Sequence, residues 1–206
     1  MSTHKGWALA LAIGVSACGG PVLAPRQADA DLIVFGGGPG GAREACFTCH
    51  GLAGEGIEEA PRLAGLDAGY FLKQMADYAN GRRADAVMAP IARRLSAEAQ
   101  RQVSHYYAAL PTTAPPLGTA PRLYAHGDAA RGLRACAECH GADGQGVGPA
   151  NPAVAGQPQV YTAEQLRRWK RGLRRNDAGD EMGSAARGLS ESEIEALAAY
   201  LAGVSQ

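Results

Sequence analysis

Cys46-Phe-Thr-Cys49-His50 and Cys136-Ala-Glu-Cys139-His140 each place two thiols three residues apart, with an imidazole directly after the second. On a single helical turn that spacing puts both sulfurs on one face. They can then reach one edge of a flat macrocycle while the neighbouring ring turns beneath its centre. Cys-X-X-Cys-His is the attachment signature of c-type haem, in which the thiols add to the porphyrin vinyl groups and the histidine binds iron. Cys46, Cys49, Cys136 and Cys139 are therefore expected as covalent anchors, with His50 and His140 as proximal iron ligands. Two such sites imply two haems and electron traffic. A redox dithiol would want a βαβ context, which is missing here. Zinc would want its cysteine pairs about 15–20 residues apart, whereas 86 residues intervene between Cys49 and Cys136.

The sixth iron ligand follows from the methionines. There are four: Met1, Met75, Met88 and Met182. Met1 leaves with a leader, so the second half retains only Met182, and its repeat partner is Met88. Met88 and Met182 are expected as distal ligands, each in a loop just before the last helix of its half. A thioether opposite imidazole is the usual electron-transfer arrangement, and the soft sulfur favours ferrous iron. Met75 sits in a helical pattern and reads as core packing. His105 and His126 have no repeated partner and read as surface or packing residues. Pro61 and Pro152 recur after a Gly-rich turn. Their carbonyls are placed to accept the Nδ1 hydrogen of His50 and His140 and so fix which nitrogen meets iron.

The elements that must position these groups are written twice. At an offset of 90, Cys46, Cys49, His50, Gly51, Gly54 and Gly56 fall on Cys136, Cys139, His140, Gly141, Gly144 and Gly146. At 91, Pro61, Ala64-Gly65, Tyr70, Gln74 and Gly81 fall on Pro152, Ala155-Gly156, Tyr161, Gln165 and Gly172. At 94, Met88, Ala92, Leu95-Ser96 and Tyr106 fall on Met182, Ala186, Leu189-Ser190 and Tyr200. Each half reads as helical. A helix leads into each pentapeptide, with Asp128 as a cap for the second. Further helices are expected near Tyr70–Asn80 and Thr162–Arg171, and a closing helix in each half. Val103, Tyr106, Tyr107 and Leu110 follow an i, i+3, i+4, i+7 pattern, as do Ile194, Leu197, Ala198 and Leu201. Ser190 and Glu193 form a capping box. No strand ladder is evident.

Only three Phe and two Trp serve two small cores, and a domain this small rarely builds a sufficient apolar core alone. Haem supplies the missing bulk. Twenty basic residues balance twenty acidic ones, which gives no pull toward nucleic acid.

Residues 1–17 read as a signal peptide, with Lys5 before the apolar run Trp7–Ala17, too short to span a membrane. Val15-Ser-Ala-Cys18 resembles a lipobox, so Cys18 is a candidate lipid anchor. Cleavage at Ala28-Asp-Ala30 is the alternative and would leave a soluble periplasmic protein. Residues 18–35 read as a tether, 36–111 as the first domain, 112–121 as a Pro-rich linker and 122–206 as the second domain. Asp31–Phe35 looks like a strand, and Gly36-x-Gly38-x-x-Gly41 fits a dinucleotide fingerprint. No second parallel strand follows, however, and the haem site arrives five residues later, so no nucleotide is expected.

One basic cluster stands out, Arg167-Arg-Trp-Lys-Arg171 with Arg174-Arg175. A solvated helix face is the plain reading. The functional one is that the aligned Arg83 and Arg174 approach haem propionates, or that the cluster docks an acidic partner.

On both pentapeptides, both Gly-rich turns, Pro61 and Pro152, both methionine segments and the closing segments from Ser96 and Ser190, the chain resembles the class I cytochromes c. It is most similar to their two-domain di-haem c4 type. The resemblance covers nearly everything after the leader. It implies an all-α fold of two tandem class I cytochrome c domains, each a small helical bundle around one covalent haem. The domains would face each other about a pseudo-twofold axis with propionates near the shared interface. It also implies a periplasm-facing carrier of single electrons between redox proteins of the respiratory chain, from quinol–cytochrome c reductase to a terminal oxidase. The rivals are a haem enzyme, either a peroxidase or a sulfur-compound dehydrogenase, and a fixed subunit of a respiratory complex.

Overall fold

The computed structural model describes residues 25–112 and 114–203, with side chains from residue 29 onward. The leader and Cys18 lie outside the described residues. Among the described residues there are ten α-helices and no strand, only isolated bridges at Ile57–Ala60, Asp128–Leu133 and Val147–Asn151. The first half carries α1 (Pro25–Gly36), α2 (Phe47–His50), α3 (Ala68–Ala79), α4 (Met88–Arg94) and α5 (Ala97–Ala109). The second repeats the order as α6 (Arg122–His126), α7 (Cys136–His140), α8 (Gln159–Lys170), α9 (Glu181–Arg187) and α10 (Glu191–Leu201). No helix of the described residues is long and apolar enough to cross a membrane.

Local chemistry sets the helix starts. Asp67 accepts from Tyr70 N at 2.9 Å to open α3, and Ser96 accepts from Ala99 N at 3.1 Å to open α5. Ser190 accepts from Glu193 N at 3.2 Å while the Glu193 carboxylate accepts from Ser190 N at 2.8 Å, the reciprocal box expected at the start of α10. Asp128 is a cap too, but of the short 3₁₀ turn Ala129–Arg131, where it accepts from Ala130 N at 3.2 Å.

Each half buries its own core. In the first, α3 and α5 bring Phe71, Met75, Tyr78, Val103 and Tyr107 together. In the second, α8 and α10 enclose Ala163, Ile194, Leu197 and Leu201 with Tyr124 and Leu189. Met75 is 4% exposed, so it is core packing as its spacing implied.

The expected tether at 18–35 is corrected over its described residues, 25–35, and with it the domain start at 36. Residues 25–36 form α1, which packs along α5, and Ala30, Ile33 and Val34 are buried, the last two in the first core. The run Asp31–Phe35 is thus helix, not strand. Burying a Val or Ile side chain contributes about 1.5–3 kcal/mol, and the pair is a sizeable part of a small domain's net stability of about 5–15 kcal/mol. The first unit therefore begins well before Gly36. The linker is also less free than a bare connector, because Leu117 and Ala120 pack on the second core.

The turn after each pentapeptide needs glycine for a specific reason. Gly56 and Gly146 have φ of 84° and 82°. A Cβ at either would overlap the backbone between Pro61 and Arg62 or between Pro152 and Ala153. Gly146→Ala should therefore cost about 2 kcal/mol through left-handed strain and overlap, measured by denaturant unfolding. Glu193 gives a pH-dependent expectation. Hydrogen bonds from Arg131 and from Ser190 N hold its carboxyl down at about 2, against an ordinary 4.5. A depressed folded-state value contributes stability above the ordinary value that is lost as pH falls through the folded one. The stability gap between wild type and Glu193→Gln should be full above pH 4.5 and shrink as pH approaches 2 in a thermal-unfolding series.

Candidate haem sites and the seam between them

The two pentapeptides are helical, as their spacing requires. His50 N donates to Cys46 O at 2.9 Å, which closes one turn and sets the two sulfurs on one side. Cys136–His140 is wholly within α7. Burial pushes the Cys46 and Cys136 thiols up from their ordinary value. A reactive dithiol needs the opposite shift, toward thiolate. Among the described residues, no group of three or more His, Cys, Asp and Glu is placed to hold a metal ion. Gly36 closes α1 and Gly38–Gly40 form a 3₁₀ turn between α1 and α2, with helix rather than strand before it.

Both imidazoles are held from behind. Nδ1 of His50 lies 2.8 Å from Pro61 O, and Nδ1 of His140 lies 2.8 Å from Pro152 O. A carbonyl only accepts, so Nδ1 carries the hydrogen and each Nε2 lone pair faces the other way, free to bind a metal. Burial pulls both histidines below their ordinary value, opposed in part by the carbonyl contacts. Each ring is thereby kept neutral, as a ligand must be.

Met88 and Met182 lie in corresponding places, but not in loops. Met88 is the first residue of α4 and Met182 the second of α9. Each backbone N–H is fixed by an aspartate: Met88 N donates to Asp85 at 2.9 Å, and Met182 N to Asp177 at 2.7 Å. Both side chains are half-buried, whereas His105 and His126 are exposed. The residues after each methionine continue as helix to Arg94 and Arg187, so the expected loops are short.

Arg83 and Arg174 are not on a solvated face. They are 6% and 7% exposed and meet where the two units touch. Arg83 donates to Gln74 Oε1 at 2.9 Å, and across the seam to Tyr161 at 3.0 Å and Gln165 at 2.9 Å. Arg174 mirrors it, donating to Gln165 at 2.8 Å, to Tyr70 at 3.2 Å, to Gln74 at 3.3 Å and to Asn176 at 3.0 Å. Each guanidinium also lies 4.6 Å over an aromatic ring, Tyr78 or Trp169. Burial alone would push the Tyr161 phenol up, but the two guanidinium groups outweigh it and pull it down. Asn176 further bonds Asp77 at 2.7 Å, and Lys73 pairs with Asp77 at 2.6 Å.

Among the described residues, neither Arg83 nor Arg174 has a carboxylate within ion-pair distance. Burying an unpaired charge costs several kcal/mol, and neutral oxygens and ring faces offset only part of that. A pair of buried cations of this kind fits an anionic group such as a propionate. With paired thiols on one helical turn, free Nε2 atoms and a half-buried methionine in each unit, the residues present fit covalent haem in both. The rest of the basic cluster is largely engaged elsewhere. Arg167 binds Glu191 at 2.8 Å and also Glu195, Arg168 reaches Ala84 O, and Lys170 reaches Leu189 O. The seam partners Tyr70, Gln74, Tyr161, Gln165, Asp77 and Asn176 had no assigned role from sequence. Their one visible signal was identity between repeats at Tyr70/Tyr161 and Gln74/Gln165.

Comparison with known proteins agrees with this geometry. The cytochrome c family model matches residues 124–205. The chain is 41% identical over 193 residues to the thiosulfate dehydrogenase electron acceptor of Stutzerimonas stutzeri, covering 88% of both. It is 36% identical over 173 residues to cytochrome c4 of Thiocapsa roseopersicina, covering 80% of this chain and 90% of that one. Reduced cytochrome c4 from Pseudomonas stutzeri superposes with a TM-score of 0.76 at 28% identity over 86% of this chain and 97% of that one. The thiosulfate dehydrogenase TsdBA of Marichromatium purpuratum gives 0.77 at 37% identity over 86% of this chain, which spans 40% of that longer one. With paired haem-attachment turns, carbonyl-braced histidines and these relatives, the chain belongs to the cytochrome c family, as a two-domain, di-haem c-type cytochrome of the c4 kind.

Proposed function

We propose that this c4-type electron carrier works on the periplasmic side of the membrane, taking single electrons from a thiosulfate dehydrogenase and passing them to a respiratory acceptor. The observation that carries the reading is the 41% identity to a thiosulfate dehydrogenase electron acceptor over 88% of both chains. The likeness to TsdBA, whose chain is more than twice as long, supports the same donor. The cytochrome c4 relatives favour a second reading, the route from quinol–cytochrome c reductase to a terminal oxidase.

Haem, when bound, supplies a reversible one-electron ferrous–ferric couple. In our assignment Cys46, Cys49, Cys136 and Cys139 would form the thioethers, His50 and His140 would bind iron through Nε2, Met88 and Met182 would give it their sulfurs, and Arg83 and Arg174 would meet the propionates. An iron so held in each unit would carry electrons without binding substrate. Pro61 and Pro152 keep the imidazoles oriented, and the aspartate-fixed methionines lie in the first turn of α4 and α9. Partner contact is expected to be small and brief, as in other redox encounters. Cys18 remains our candidate lipid anchor, which would keep the carrier at the membrane.

The donor is tested by mixing the oxidised protein with a thiosulfate dehydrogenase and thiosulfate and following the visible bands of ferrous haem. Reduction within enzyme turnover is the expected result. A protein that stays oxidised there, yet is reduced promptly by quinol–cytochrome c reductase, supports the second reading instead. The ligands are tested by Met88→Ala and Met182→Ala. Each should lower the potential of one haem and admit about one equivalent of carbon monoxide where the native protein admits almost none. A native haem that already binds carbon monoxide would favour an enzyme.

A further inference from the structure

The peptide group joining Pro61 to Arg62 is held at both ends. Its carbonyl accepts from His50 Nδ1 at 2.8 Å. Its N–H donates at 3.0 Å to Oε1 of Gln157, a side chain from the other unit. Gln157 Nε2 donates in turn to Arg62 O at 3.0 Å, so one amide grips both backbone groups of Arg62. The Arg62 side chain ties the same region down, donating to Ala155 O at 2.8 Å and to Ala64 O. Arg62 is 2% exposed and Gln157 6%, so water does not compete for these bonds.

The second unit has no mirror image of this clasp. Its equivalent peptide joins Pro152 to Ala153, and the residue that repeats Gln157 is Leu66, which bears no amide. Pro152 O still accepts from His140 at 2.8 Å. Among the described residues, however, the Ala153 N–H donates to no protein group.

We propose that Gln157 is a positioning residue that acts across the seam. By accepting from the Arg62 N–H, it polarises the Pro61–Arg62 peptide and makes Pro61 O a stronger acceptor for His50. The second unit thus tunes the proximal imidazole of the first, and the first does not return the effect. The relay is physical: hydrogen bonds in a chain strengthen one another by about 10–30% each in a low-dielectric interior. A stronger bond to Nδ1 raises ring basicity, which stabilises ferric over ferrous iron and lowers the potential of that site. The inference rests on the reading of His50 as an iron ligand.

The test is proton–nitrogen NMR of the fully reduced, diamagnetic di-haem protein, together with redox titration. In the native protein, the His50 Nδ1–H resonance should lie downfield of that of His140 and exchange more slowly. This comparison needs no variant. Gln157→Leu, which installs the residue found at position 66, should erase the downfield offset. It should also raise the potential of the first haem alone. A His140 resonance as far downfield as that of His50 would overturn the relay. So would a Gln157→Leu protein whose His50 proton stays in place, or whose two potentials move together. If the carbon-bound ring protons of His50 lack the large upfield shift of a ring beneath a haem, the ligand assignment itself has failed. A shifted ring that ignores Gln157→Leu sinks only the relay.

Discussion

A backbone carbonyl behind each imidazole is the constraint on which the rest of the structure depends. The 2.8 Å contacts from His50 to Pro61 and from His140 to Pro152 fix the tautomer and aim Nε2 outward, while burial pulls both rings toward the neutral form. Around that contact the chain is arranged in order. A helical turn presents the thiols, a glycine with positive φ lets the next loop close on the proline peptide, and a short helix carries a methionine whose backbone N–H an aspartate fixes. Because the same order occurs twice, one set of local rules builds both sites.

Much of this was legible in the residues. The Cys-X-X-Cys-His turns, the proline carbonyls, the capping box at Ser190 and the closing helices all depend on short-range spacing, which sequence displays directly. The start of the first unit was not legible. Leu32 is followed by Ile33, Val34 and Phe35, β-branched or aromatic in a row, and the run resembles a strand, with glycines after it that resemble a tether. Packing along α5 overrides that preference and makes them helix. The methionine segments were misread as loops because the helices they open are only seven residues long.

The seam was illegible for a different reason. Its bonds join residues 78 to 104 positions apart, such as Arg83 with Tyr161 and Arg174 with Tyr70. No periodicity records such a pairing. Repetition of Tyr70, Gln74 and Arg83 in the second half was visible, but a repeat says only that each unit needs the residue, not that the copies face each other. Once they do, two buried guanidinium groups share neutral acceptors and lack a carboxylate of their own. A polar junction of this kind holds the units in one relation and suits an anionic edge of a cofactor. Departures from the repeat, such as Leu66 opposite Gln157, are where the two halves cease to be equivalent.

The most direct measurement is the intact mass of the mature, exported protein together with its haem content after expression with the maturation machinery present. Two covalently attached haems per chain, one on each Cys-X-X-Cys-His turn, are the expected result, and the same mass reads the state of Cys18. A colourless protein, or one whose mass matches the bare polypeptide, would contradict the assignment at its root.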